Sequence, residues 1–245
     1  MIYVSRRLII TCLLLITACV VAGIWGLRSG TVTLETSQIF AALMGDAPRS
    51  MTMVVTEWRL PRVLMALLIG AALGVSGAIF QSLMRNPLGS PDVMGFNTGA
   101  WSGVLVAMVL FGQDLTAIAL AAMAGGIITS LLVWLLAWRN GIDTFRLIII
   151  GIGVRAMLVA FNTWLLLKAS LETALTAGLW NAGSLNGLTW AKTSPSAPII
   201  ILMLIAAALL VRRMRLLEMG DDTAYALGVS VERSRLLMML VAVVL

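Results

Sequence analysis

Long apolar runs separated by short charged connections set the pattern of this chain. Charge-free stretches cover residues 8–27, 63–84, 93–113, 115–138, 198–211 and 236–245, and the run 147–167 is broken only by Arg155. Most reach the roughly 20 residues that a helix needs to cross a ~30 Å hydrocarbon layer. The pattern predicts an all-α, polytopic membrane protein with about seven spans. The run 198–211 is short and is expected to begin earlier, near Thr193. The last run would cover only about half a bilayer at roughly 1.5 Å per residue. Residues 1–245 are therefore expected to be one transmembrane domain, C-terminally incomplete.

Between the last two runs lies a charged stretch, residues 212–235, with nine of the chain's 17 basic and 11 acidic residues. Within it, Gly220, Asp221 and Asp222 precede Thr223 to Leu227, and Gly228 follows. Asp at the start and Gly after the end are helix-cap residues. Six or seven residues of helix do not hold together in water, because nucleation is costly and few hydrogen bonds follow it. The segment is therefore expected to be a docking surface whose helix is ordered mainly when docked. The plainer alternative is a solvated loop.

Composition agrees with the pattern. Apolar residues make up 60% and charged residues 11% of the chain, with a mean hydropathy of +1.02, against about 25% charge in an average soluble domain. Ser5-Arg6-Arg7 and Ile16-Thr17-Ala18-Cys19 imitate export signals, but the run that contains them is longer than a signal core, so an uncleaved first span is expected. Cys12 and Cys19 lie about 10 Å apart along one helix and cannot bridge each other.

The net charge of +6 comes mostly from arginines at span ends, which is not a nucleic-acid pattern. With the N-terminus in the cytoplasm, inside segments collect ten basic residues, among them Arg85, Arg139, Arg146, Arg212 and Arg235. Outside segments collect six: Arg28, Arg49, Arg59, Arg62, Lys168 and Lys192. The bias fits the positive-inside rule and places residues 212–235 in the cytoplasm and 168–198 outside.

Several chemistries are missing. The chain has no histidine, so Ser-His catalysis and zinc-protease motifs are excluded. It has no Gly-x-x-x-x-Gly-Lys-Ser/Thr loop, so any ATP chemistry belongs to a partner. All its carboxylates fall in connections or at span ends, whereas proton-coupled transporters usually run on titratable groups inside the membrane.

Three constellations remain. Arg59-Leu60-Pro61-Arg62 precedes the second span, with Pro61 suited to a first helical turn. Two arginines at a helix N-terminus oppose the macrodipole, so they are read as forks for an external acidic partner, with lipid anchoring as the alternative. The span after them carries Gly70, Gly74 and Gly77, small residues that favour close helix packing. At its inner end come Gln81 and Arg85-Asn86-Pro87-Leu88-Gly89-Ser90-Pro91-Asp92, where Ser90, Pro91 and Asp92 are expected to start the third span.

Arg155 lies nine residues beyond Arg146, about 13 Å along the axis and near mid-membrane, where a lone arginine costs at least ~2.5 kcal/mol. Asn162 shares its helix face and Gly151 lies one turn below. This polar stripe is expected to line either a route for an anionic substrate, with Gln81, Arg155 and Asn162 along it, or a contact with a neighbouring span. Residues 168–198, with Trp180 and Trp190, are read as a re-entrant or interfacial segment.

Taken in order, Arg59-Leu60-Pro61-Arg62, Gln81 with Asn86-Pro87-Leu88 and Pro91-Asp92, Trp180 with Gly183-Ser184-Leu185, and Gly220-Asp221 with Ala224 and Leu227-Gly228 resemble the permease family of ATP-binding-cassette importers for iron siderophores, haem and vitamin B12. The resemblance runs from about residue 35 to the end and is closest to permeases for ferric enterobactin of Gram-negative bacteria. It implies the fold of the vitamin B12 permease, a type II importer domain of roughly ten spans in the bacterial inner membrane.

It further implies a homologous permease subunit as partner in a heterodimer, two ATPase subunits that use ATP and magnesium, a periplasmic substrate-binding protein and a ferric siderophore. The chain itself would bind no cofactor and catalyse no reaction. Arg59 and Arg62 fall on the pair that docks the binding protein, and Thr144 falls on a cytoplasmic gate. Leu217, Glu218, Gly220, Asp221, Asp222, Ala224, Leu227 and Gly228 fall on the coupling helices that seat in the ATPase. Arg155 inherits no role. The competing readings are a proton-coupled secondary transporter and a non-transporting membrane scaffold.

Overall fold

The computed structural model describes residues 5–30, 32–86, 89–112, 114–139, 141 and 143–245. Pro87 and Leu88 of the Asn86-Pro87-Leu88 motif, and Gln113 at the end of the third run, lie outside the described residues. The elements are α1 (Arg6–Arg28), α2 (Thr36–Met44), α3 (Arg49–Met53), a π-helical segment (Val54–Arg59), α4 (Leu60–Met84), α5 (Phe96–Phe111), α6 (Leu115–Ala137), α7 (Thr144–Lys168), α8 (Leu171–Ala182), α9 (Trp190–Glu218), α10 (Asp221–Ala226) and α11 (Val231–Val244). The fold is all-α, as the pattern predicts, with no strand among the described residues. Among the described residues, five helices are long and apolar enough to cross a membrane: α1, the continuous run Arg49–Met84, α6, α7 and α9. The shorter apolar helix α5 has 16 residues.

The second run starts earlier than its apolar stretch. Helix continues unbroken from Arg49, so Pro61 stands inside it rather than at a first turn. Proline removes a backbone donor and clashes with the carbonyl four residues back. The chain answers with a π turn, in which Leu60 N–H donates to Val55 O. In that wider register Thr56 O would look to residue 61, whose nitrogen carries no hydrogen. The indole Nε1–H of Trp190 donates to it instead, at 2.8 Å.

The third helix also differs from expectation. Residues 91–95 form a turn, closed by Met94 N–H to Pro91 O and Gly95 N–H to Asp92 O. α5 then begins at Phe96, behind Gly95 with φ of +78°. The run expected near Thr193 begins at Trp190 and contains Pro195 and Pro198 within the helix.

The chain divides into two compact units. The first comprises the described residues up to Ala71 together with Leu185–Ile199, and the second comprises Ala72–Ser184 and Ile200–Leu245. In the first, Leu27, Leu34, Ile39, Ala42 and Val55 form a small core against Met51, Leu60 and Val63. Leu27 is the buried residue of α1, and the rest of that helix presents apolar side chains outward, as a helix facing lipid does.

In the second unit, Phe80, Met94, Phe96, Val133, Trp134, Ala137, Leu147, Ala224, Met238 and Met239 form the main core, with the rings of Phe80 and Phe96 5.6 Å apart. α5 and α6 make the closest backbone approach. A methyl group on Gly99 would lie 2.0 Å from Thr129 Oγ1, and one on Gly103 would lie 2.0 Å from Ala121 O. Gly70, Gly74 and Gly77, where close packing was expected, have nothing within 4 Å of such a methyl group. Asp114 caps the N-terminus of α6, and the Thr116 hydroxyl and Ala117 N–H hold its carboxyl below the usual carboxylate range.

Candidate functional site

The second unit gathers most of the candidate side chains at two places, near opposite ends of α7. The first surrounds α10. Gly220 (φ +113°) and Gly228 (φ +80°) supply the two sharp turns that set this short helix off from α9 and α11. Both take a backbone conformation that favours glycine. The N-cap is Gly220, and no side chain caps the first turn. Asp221, expected as a cap, spends its carboxylate elsewhere.

Asp221 Oδ1 accepts from Arg85 Nη2 at 2.5 Å and from Arg235 Nη2 at 2.9 Å. Arg85 Nη2 also donates to Leu217 O at 2.9 Å, on the last turn of α9. A cation there satisfies an orphan carbonyl and complements the helix dipole. Ser82 Oγ donates to Glu218 Oε1 at 2.8 Å. Ala224 is fully buried in the core, so the inner face of α10 is packed as well as paired. α10 is thus held within its own chain, which corrects the expectation that docking supplies its order.

Arg85 carries a further peculiarity. Asn86 N–H donates to Gln81 O and Arg85 N–H donates to Ser82 O, the bonds that close a helix with a left-handed residue. Glycine is usual at that position, yet Arg85 occupies it with φ of +48°. A non-glycine residue there costs about 1–3 kcal/mol. The side-chain bonds to Asp221 and Leu217 offset it.

Arg235 is 6% exposed. It reaches a mixed-charge cleft of about 690 Å³, walled also by Arg139, Asp143, Arg146, Asp222 and Glu232. Arg146, across this cleft, donates to Ala137 O and Arg139 O at 3.2 Å each, which ties the start of α7 to the end of α6. Thr144 is the first residue of α7 and lines a small cavity of about 10 Å³ with Phe80, Leu83, Trp134, Leu147, Arg235 and Met239. Of the candidates on and beside α10, Leu217 and Ala224 are buried, while Asp222, Leu227 and Gly228 are exposed. Tyr225, which the sequence did not single out, is 77% exposed.

The second place lies toward the other end of α7. Asn97, Thr98 and Trp101 of α5, Asn162, Thr163 and Leu166 of α7 and Asn181 of α8 line a cleft of about 300 Å³. Its polar groups are amides and hydroxyls, with no charge among them. Asn162 is 4% exposed. Its Nδ2 donates to Thr98 O at 3.4 Å, and its Oδ1 is buried without a partner.

Arg155 and Gln81 do not line this cleft. The backbone of Arg155 packs against Gly95, where a methyl group would meet its Cβ at 2.8 Å, and Gly151 packs in the same way on Met94. The stripe of Gly151, Arg155 and Asn162 is therefore first a contact between α7 and the start of α5. The Arg155 side chain itself is exposed midway along α7. Gln81 lies in the last turns of α4, four residues before Arg85.

In the first unit, Arg59 Nη1 donates to Leu27 O at 2.7 Å and to Arg28 O at 3.1 Å, and its Nη2 donates to Val32 O at 2.5 Å. Its guanidinium closes the connection that leaves α1. Arg62 is exposed. The two arginines expected to act alike are thus in different states. Arg85 and Arg235 were missed as partners because their common carboxylate lies 136 and 14 residues away in sequence. The signal available was an arginine at the foot of α4, where a glycine would end a helix more easily. Among the described residues no three His, Cys, Asp or Glu side chains gather as a metal site.

Comparison with known proteins adds four findings. Residues 14–245 match the FecCD transport family. All 245 residues align at 96% identity with the ferric enterobactin transport system permease protein of Escherichia coli strain K12, covering 74% of that protein. Over 235 residues the chain is 36% identical to the achromobactin transport system permease protein of Dickeya dadantii strain 3937, covering 95% of this chain and 66% of that one. In structure it matches a chain from a transporter described as of the metal-chelate ABC type, in an inward-facing conformation. The TM-score is 0.82 at 27% identity, over 94% of this chain and 71% of the other.

Proposed function

The chain belongs to the FecCD transport family, and from that premise we propose that it is membrane-spanning permease sequence of an ATP-driven importer of ferric enterobactin. The observation that carries this reading is 96% identity, over the whole chain, to a ferric enterobactin permease. Five apolar helices of spanning length among the described residues and a structural neighbour of the ABC type support it. The permease moves the siderophore by alternating access across the bacterial inner membrane. A second permease, two ATPase subunits and a periplasmic binding protein complete the machine.

In this assignment α10 is the coupling helix, and Asp222, Tyr225 and Leu227 are its outward face toward the ATPase. Arg62 is the free fork for acidic groups of the binding protein, while Arg59 shapes the surface that presents it. The asparagine-lined cleft and the exposed Arg155 flank the substrate route, and Thr144 is part of the inner gate. The test is uptake of radiolabelled ferric enterobactin by bacteria lacking the chromosomal permease and supplied with the full-length protein. Restored uptake supports the reading, and membrane insertion without uptake contradicts it.

A further inference from the structure

α10 sits between two glycine joints. Gly220 and Gly228 both have positive φ, and with nothing else to hold it a six-residue helix would swivel on them. A force applied to such a helix would be absorbed at the joints. The chain counters this with one carboxylate. Asp221 Oδ1 receives a guanidinium from the foot of α4 and another from the first turns of α11. Arg85 reaches further, to the last turn of α9. Four helices therefore meet through three side chains.

The arrangement is retained against a local penalty, since Arg85 holds a backbone conformation that glycine takes more readily. Arg235 is buried, and it donates to the Asp221 carboxylate. Arg85 and Asp221 remain partly exposed, at 42% and 43% of their side chains, yet the atoms that pair are spent on each other within the chain. The exposed positions of the helix include those of its neighbours Asp222, Tyr225 and Leu227.

We propose that Asp221, with Arg85 and Arg235, is a positioning lock that makes α10 rigid with α4 and α11, so that a push on α10 moves those helices instead of rotating it on its glycines. This rests on the reading of α10 as the coupling helix. In it, Asp221 serves transmission, and ATPase docking belongs to the exposed residues of the same helix.

The experiment uses the full-length permease, assembled with its partner permease and ATPase in proteoliposomes with binding protein and ferric enterobactin. ATPase recovery, ATP hydrolysis and siderophore transported per ATP hydrolysed are measured together. Arg85→Gly is the informative variant, because it relieves the left-handed backbone while deleting the lock. The expected result is ATPase recovery equal to that of the parent and transport per ATP lower by at least about tenfold, the equivalent of one of the two charge-assisted hydrogen bonds that the variant loses. Arg85→Lys is expected to restore most of the coupling, since a single nitrogen of Arg85 makes both of its bonds.

Unchanged transport per ATP in Arg85→Gly would overturn the proposal. So would loss of ATPase from the complex in step with transport, which would make the contact one of assembly. Equal loss in Arg85→Lys would also overturn it. Failure of the parent to recover any ATPase would instead contradict the coupling-helix reading, and is read from the same gel.

Discussion

The indole N–H of Trp190 donates to the carbonyl of Thr56 at 2.8 Å, across 134 residues of sequence, because Pro61 has no hydrogen to offer it. A proline in one helix is thus completed by a tryptophan at the start of another. Trp190→Phe keeps the ring and leaves the carbonyl unpaired. A loss of about 1–3 kcal/mol is expected if the carbonyl stays dry. In the Pro61→Ala background the same change should cost less, since residue 61 regains its N–H. A double-mutant cycle on thermal stability of the purified permease measures the difference.

Arg59 and Arg62 are expected to separate by phenotype. Arg59→Ala removes two bonds to the last residues of α1 and one to the connection after it, and should lower thermal stability. Arg62→Ala, at an exposed position, should leave stability within about 0.5 kcal/mol. Arg62→Glu should weaken binding-protein affinity, and the difference from the parent should shrink as salt rises. Equal loss of stability in both alanine variants would remove the distinction.

Gly99→Ala places a methyl group 2.0 Å from Thr129 Oγ1 and 3.0 Å from Gly125 O. α5 and α6 must part or Thr129 must turn, at a cost of about 1–3 kcal/mol. The measurement is the melting temperature in detergent. Gly99→Ala with Thr129→Ser should not recover it, because serine keeps the hydroxyl oxygen and the Gly125 carbonyl also remains in the way.

Arg155→Ala should reduce ferric enterobactin uptake without reducing assembly with the ATPase. The motive is an exposed cation midway along α7, with no hydrogen-bond partner shown among the described residues. The substrate is an anion. Uptake equal to that of the parent at equal membrane abundance would sink the hypothesis.

What the sequence made legible was what local pattern encodes. The apolar run 115–138 became Leu115–Ala137, and 147–167 became Thr144–Lys168. Gly220 and Gly228 bracketed Asp221–Ala226 as expected. The start of the second span was hidden, because Glu57, Arg59 and Arg62 look like a connection and a π turn leaves no periodic signature. The small-residue stripe was read on α4, whereas close approach happens between Gly99, Gly103 and Gly125. Small residues permit an approach without naming the neighbour. The partners of Arg59 and Arg85 were illegible for another reason. Both reach groups far away in sequence, and a carbonyl acceptor carries no side-chain mark at all.

The bonds that Arg59 makes to the end of α1 bear on how the protein is made. α1 contributes Leu27 to a core and otherwise presents apolar side chains outward. The guanidinium that fastens its outgoing chain is translated 31 residues after Arg28. The C-terminal end of α1 is therefore closed only after the chain that follows has delivered Arg59, so this fastening waits on synthesis of the next helical run.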